Sequence, residues 1–293
     1  MIKIAVANQK SRTKNIQKAL SYFEAELKTI LKNKKWLLIK PNFVSTTVEL
    51  SATNVEAVKT LIEFLKTFFK GKILVAEGAA LGETFDGFKN FGYDILPKIF
   101  KNVELFDLNQ DKTKTFKIYD GRLQKTIPVR VAKTFLTAPY IISISPPKTH
   151  DTVIVTLSIK NCVMGAIIKG DKTKMHQGVK AINHSIADLA EKLSPDFAIL
   201  DGWWAMQGDG PVHGEKVEWG IALASDNPLI LDAFCSFLMG FDPEDIGYLK
   251  MLADKKKIKF DFNRIAIVGD NWQKIKRRFL PHSQYQSQLL WKE

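Results

Sequence analysis

Cysteine is scarce: the 293 residues hold two, Cys162 and Cys235, both in apolar runs and neither in a C-x-x-C pair. That excludes an iron–sulfur cluster or a cysteine-rich zinc site ligated by this sequence. It also fits a reducing compartment, and a cytoplasmic location is expected. Arginine is scarce as well. Only six of the 43 basic residues are Arg, whereas proteins that read base edges lean on the bidentate guanidinium. The net charge of +12 is therefore a lysine excess. It suits general attraction of anions, and specific nucleic-acid binding is not expected. No apolar run reaches about 18 residues, so no membrane span is expected, and the N-terminus shows no secretory signal.

Several signatures of catalysis are missing. No G-x-G-x-x-G follows the first strand-like segment, and the chain has no Walker A loop, no H-E-x-x-H and no G-x-S-x-G. Nucleotide-dependent and serine-hydrolase chemistries lose most of their support. All five histidines lie at or after position 150, so any histidine acid–base chemistry comes from the second half.

What is present is an α/β pattern. Apolar segments at 2–8, 36–39 and 72–76 read as strands. Helical spacing at 15–32 and 53–69 falls between them, the second helix opening on a capping box formed by Thr53 and Glu56. Strand–helix alternation predicts a parallel, helix-covered sheet. Further strands are expected at 103–108, 140–145, 197–200, 217–224 and 264–268, and a hairpin across Asp120-Gly121. Helices are expected at 181–193 and from Pro228 to about 239. A long glycine-rich loop is expected at 203–214. The arrangement predicts two α/β lobes, 1–139 and 140–293, with a cleft between them.

Polar residues collect just past strand ends, where α/β proteins place their chemistry. Lys40 and Asn42 follow the second strand. Lys40 suits holding a carboxylate or phosphate as a point charge. Glu77 ends the third strand and suits a base or a metal ligand. Lys148, His150 and Asp151 follow Pro146-Pro147. Lys160 and Asn161 lie in the next apolar run, and His176 closes a Gly/Lys loop. Asp201 ends the 197–200 strand, and Asp209 lies in the glycine-rich loop. His184 and Asp188, four residues apart on a helix, face one way. Asp232, inside an apolar helix, needs buried partners.

KPN at 40–42, PKTH at 147–150, LSIKN running to MG at 157–165, LDG at 200–202, GDGP at 208–211 and LDAF at 231–234 occur in this order. The set resembles the uncharacterised family known as domain of unknown function 362, over roughly residues 36–252. Many members of that family add a ferredoxin-like segment, and this chain has none. A more distant resemblance is to nickel-pincer lactate racemases: His150, Lys160, Gly165 and His176 keep their motif spacing. It implies a proton-transferring base at His150, a cofactor anchor at Lys160 with Asn161 beside it, and a metal ligand at His176. Two departures stand out. Leu157-Ser158-Ile159 replaces the racemases' glycine pair before the lysine, and no histidine is available in the first half as a second base.

The reading is an enzyme acting on a small anionic substrate by metal-assisted proton or hydride transfer. His150 and Lys160 are catalytic, and Lys40, Asn42, Lys148, Asp201 and Asp209 bind substrate. Lys160 and Asn161 hold a cofactor, and His176 and Glu77 bind a divalent metal, nickel by the distant resemblance. The alternative is a non-catalytic metal- or anion-binding module that serves an iron–sulfur partner protein.

Overall fold

The computed structural model describes residues 2–293. Ten of its twelve strands form one sheet. In chain order the strands are β1 (Lys3–Ala7), β2 (Trp36–Lys40), β3 (Lys72–Glu77), β4 (Val103–Asp107), β5 (Thr113–Tyr119), β6 (Thr126–Ala132), β7 (Ile141–Ser145), β8 (Lys148–His150), β9 (Ile154–Thr156), β10 (Phe197–Gln207), β11 (Glu215–Ser225) and β12 (Ala266–Gly269). The main sheet runs β12-β1-β11-β10-β7-β2-β3-β4, with β8 and β9 appended to β10. β5 and β6 form the expected hairpin as a separate ribbon. Along the main path every pairing is parallel except those of β11 with β1 and with β10.

The position 139/140 falls within this sheet, because β7 pairs directly with β2. β1, from the start of the chain, lies between β11 and β12, from its end.

The sheet separates two apolar cores, and strand periodicity assigns residues to them. Leu37 and Ile39 of β2 face a core built with the helices Arg12–Ser21, Glu24–Leu31 and Val55–Lys66. Leu38, between them, faces the other core, built with the helices Ser158–Ala166, Val179–Leu193, Pro228–Leu238 and Gly247–Lys255. Near-continuous apolar runs are what strands covered on both faces require.

Three local expectations are corrected. The helix expected at 15–32 is two helices, broken between Ser21 and Glu24. Thr53 does not cap the third helix. Asn54 does, accepting the Glu56 amide, while the Thr53 hydroxyl bonds the carbonyl of Ile144 at 2.9 Å. The glycine-rich loop is shorter than expected, because β10 runs on to Gln207 through a bulge near Gly202 and pairs with β11 along its length.

Asp232 finds the partners its burial demands. Fully buried on the Pro228–Leu238 helix, it accepts the Ser158 amide at 3.1 Å, the Ser158 hydroxyl at 2.6 Å and the Ile159 amide at 2.9 Å. The Ser158–Ala166 helix has no side-chain cap from its own N-cap residue, Leu157. A carboxylate from another helix thus satisfies its first amides and the positive end of its dipole. Asp232→Ala leaves those donors buried and unpaired. Chemical denaturation should show a loss of about 3 kcal/mol, and an unchanged midpoint would remove Asp232 from this capping role.

Candidate functional site

Strand order reverses between β2 and β7. From β2 the chain builds outward through β3 and β4, and from β7 the sheet continues through β10 and β11. Crevices at the carboxyl ends of strands beside such a switch are where open α/β sheets bind ligands. A cleft of about 400 Å³ opens there.

Behind its wall lies a buried polar cluster. Lys40 ends β2 with no solvent exposure and pairs with Oε1 of Glu77, the last residue of β3, at 2.5 Å. Glu77 Oε1 also accepts the Gly78 amide at 2.8 Å, and Oε2 accepts the Phe43 amide at 2.9 Å. Asn161 Oδ1 accepts Lys40 Nζ at 3.3 Å and Asn42 Nδ2 at 3.1 Å, and its Nδ2 donates to Ser143 Oγ at 3.1 Å. Lys148 Nζ donates to Asn42 Oδ1 and to the Ser51 carbonyl. Burial pushes the Lys148 ammonium down to about 7, assisted by the charges of Lys160 and Lys40. The cluster ties β2, β3 and β7 to the Ser158–Ala166 helix.

Gly165 makes the cluster possible. A Cβ at this position would overlap Lys40 Cε and Nζ.

Facing the cleft, His150 Nε2 lies 2.8 Å from Lys160 Nζ. His150 is 3% exposed and Lys160 6%. On the other side of the ring, Nδ1 lies 2.9 Å from Asp151 Oδ1 and 3.0 Å from the Thr152 amide nitrogen. Burial, then the neighbouring Lys160 charge, pushes the imidazole down to about 3. Burial likewise pushes Lys160 down to about 8. Burial works against ionisation of Asp151 as well, but the His150 ring, the Thr152 hydroxyl and the Lys160 charge hold it well below the usual carboxylate range. The positions arise from a short hairpin, β8–β9, that turns through Val153 and a left-handed Ile154 (φ 69°).

His150, Lys160, Asn42, Asn161, Glu77 and His176 all border the cleft, and Asp209 stands at its rim. Lys40 and Lys148 do not border it; both lie fully buried behind it. Asp201, expected to bind substrate, lies elsewhere. It forms a buried pair with Arg12 Nε at 2.9 Å, and Arg12 in turn stacks on Trp204. Glu77, expected as a metal ligand, already has both oxygens engaged, Oε1 by Lys40 and the Gly78 amide and Oε2 by the Phe43 amide. Among the described residues no group of three or more His, Cys, Asp or Glu is placed to hold a metal ion. His184 packs edge-on against Tyr119, and Asp188 bonds the Tyr119 hydroxyl, both away from the cleft.

Sequence reasoning missed three cleft residues. Lys172 is buried, with Nζ donating to the Met164 carbonyl at 2.6 Å and to that of Ile167. Burial pushes it down to about 7. His213 and His282 also border the cleft, so four of the five histidines converge there. His282 arrives on the C-terminal segment, which the sequence left without a role. That segment is tied down by Gly208 N donating to Leu280 O at 2.8 Å, Ser283 N to Asp209 Oδ1 at 3.0 Å and Gln288 Nε2 to His150 O at 2.7 Å. Only the cluster of histidines late in the chain hinted at this.

Residues 37–237 match the family described as domain of unknown function (DUF362). The chain belongs to this family. Within the family's span lie all the cleft residues named above except His282. The thylakoid-associated protein sll1697 of Synechocystis is 28% identical over 121 residues, which are 40% of this chain and 38% of that protein. Among solved structures, the lactate racemase apoprotein of Thermoanaerobacterium thermosaccharolyticum aligns with 82% of this chain and 57% of its own, at 11% identity and a TM-score of 0.51. A structural-genomics protein of Thermotoga maritima covers 85% of this chain at 12% identity and a TM-score of 0.44. The chain thus spans less than two thirds of the sll1697 protein and of the racemase. The likeness to the racemase is one of fold. No helix is long and apolar enough to cross a membrane among the described residues.

The Gly165 contact gives a direct test. Gly165→Ala should dislodge Lys40 from Glu77 and cost about 3 kcal/mol or more in urea denaturation. Gly170→Ala is the control: its added methyl meets nothing closer than Arg130 Nη2 at 3.4 Å, and stability should move by less than about 0.5 kcal/mol. Equal effects would dissolve the argument for close approach at position 165.

Proposed function

We propose that this DUF362 chain is an enzyme acting on a small carboxylate- or phosphate-bearing substrate, with His150 as the proton-transferring group. The observation that carries the reading is the Asp151–His150–Lys160 array on a cleft whose buried charges are dominated by lysine. Lys40, Lys148, Lys160 and Lys172 are all 6% exposed or less, and Glu77 is the one buried acid bonded to any of them. Such a site favours an anion. Lys40 and Lys148 have their hydrogen bonds taken up inside the wall. Lys160 and Lys172 face the cleft and are the groups that would touch the substrate.

An acid–base role for His150 suits its geometry: one ring nitrogen is oriented by Asp151, and the other is directed at Lys160. Although four imidazoles border the cleft, no three protein donors converge to hold a metal among the described residues, and the Lys160 charge stands near His176. A metal would therefore have to bring further donors on an organic group, and Lys160 is the amine on which the racemase resemblance would attach one. A cytoplasmic setting belongs to the same proposal, supported by two free, buried cysteines.

The test is calorimetric titration with oxalate and with inorganic phosphate. An anion beside Lys160 and Lys172 raises their pKa values from about 8 and about 7. Binding at pH 8 should therefore take up protons, which appears as a different heat in HEPES and in Tris. At pH 6, with MES and cacodylate as the buffer pair, the lysines are already charged and the buffer difference for oxalate should vanish. Lys172→Met should weaken binding about tenfold, or roughly 1.4 kcal/mol. Absence of binding by either anion, or binding at pH 8 with no buffer dependence, would sink the proposal.

A further inference from the structure

Four lysines are buried around the cleft, and their partners differ in kind. Glu77 holds Lys40 by its charge. Lys148 is held by two acceptors that can give or take no proton, Asn42 Oδ1 and the Ser51 carbonyl. Lys172 is held by two more, the carbonyls of Met164 and Ile167. Each of these three nitrogens is fixed as a donor. Lys160 differs from all three: its partner is an imidazole, His150 Nε2 at 2.8 Å. No carboxylate pairs with it among the described residues. The imidazole is in turn oriented at Nδ1, 2.9 Å from Asp151 Oδ1; the tautomer that gives its Nδ1 proton to this carboxylate leaves Nε2 free as a base toward Lys160.

A nucleophile touching a base, with the base oriented by a third group, is the general layout of covalent catalysis, here with an amine as the nucleophile. We propose that Lys160 is a nucleophilic amine that forms an imine with a small carbonyl-bearing acid, of the 2-oxo acid class. This deepens the anionic-substrate reading and rests on it: the acid group is held at Lys172 while the carbonyl carbon meets Lys160.

The step balances without any further reactant. The free amine adds to the carbonyl carbon, a C–N bond forms, and the C=O π pair moves onto oxygen. His150 takes a proton from nitrogen and delivers it to that oxygen. A second proton follows the same route, the oxygen leaves as water, and the nitrogen lone pair closes the C=N bond. Amine and carbonyl become imine and one water, and His150 ends as it began. Burial, which lowers Lys160 to about 8, supplies a substantial free-amine fraction near that pH.

The experiment uses the full chain with pyruvate and sodium cyanoborohydride at pH 8, read by intact mass and peptide mapping. Oxalate, which carries no ketone, serves as competitor, and its own binding is followed by thermal shift. The expected result is a single reduced adduct on the peptide bearing Lys160, suppressed by oxalate and absent in Lys160→Arg. Trapping in His150→Gln should be slower by about tenfold or more. The map on the native chain gives the answer even if a variant fails to fold. Label spread over surface lysines, label at Lys172, or no label while oxalate still raises the melting temperature overturns the imine and leaves the anion site standing. Failure of oxalate to bind together with no adduct removes both.

Discussion

A buried ammonium needs acceptors, and this chain buries four of them around one cleft. Taking a charge out of water costs several kcal/mol unless partners replace the solvent. The wall of the site is organised by that demand. Glu77 closes the pair with Lys40, Asn161 bridges Lys40 to Asn42, and Asn42 receives Lys148. Remove one member and another is left buried and unpaired, so the cluster couples β2, β3, β7 and the Ser158–Ala166 helix into one rigid piece. The KPN, PKTH and IKN motifs supply its members other than Glu77, which ends β3.

That rigidity serves the surface in front of it. His150 and Lys160 meet at 2.8 Å because two independent constraints hold them. One is the β8–β9 hairpin, which fixes the imidazole; the other is Asp232, which fixes the start of the helix that carries Lys160. The LDAF motif is thus explained at a distance from the cleft. Its aspartate replaces the missing cap of another helix. Placement of the cleft follows from topology: the carboxyl ends of β2 and β7 lie side by side where the strand order turns.

The comparisons place this chain in a family described as of unknown function and on a fold shared with a lactate racemase. At 11% identity that likeness concerns backbone architecture. Two residues of the racemase-like spacing, His150 and Lys160, touch each other, and His176 borders the same cleft. The fourth, Gly165, has a packing reason of its own, the space it leaves for Lys40.

Much of the architecture was legible in the residues alone. Strand and helix periodicity determined the parallel, helix-covered sheet, because apolar residues must face a core and the two periods differ. Strand ends placed Lys40, Glu77 and His150 near one edge, and those residues do gather there. Local pattern could not distinguish a cleft-facing lysine from one sealed behind it, since both follow an apolar strand. Nor could it separate Asp201, which lies at a strand end like the others but is claimed by Arg12. Lys172, His213 and His282 carried no motif. Tertiary structure alone decided their place, and it alone decided which buried lysine faces a base rather than a carbonyl or a carboxylate. The physical reason is that side-chain partners are set by contacts between segments far apart in the chain, which no local periodicity encodes.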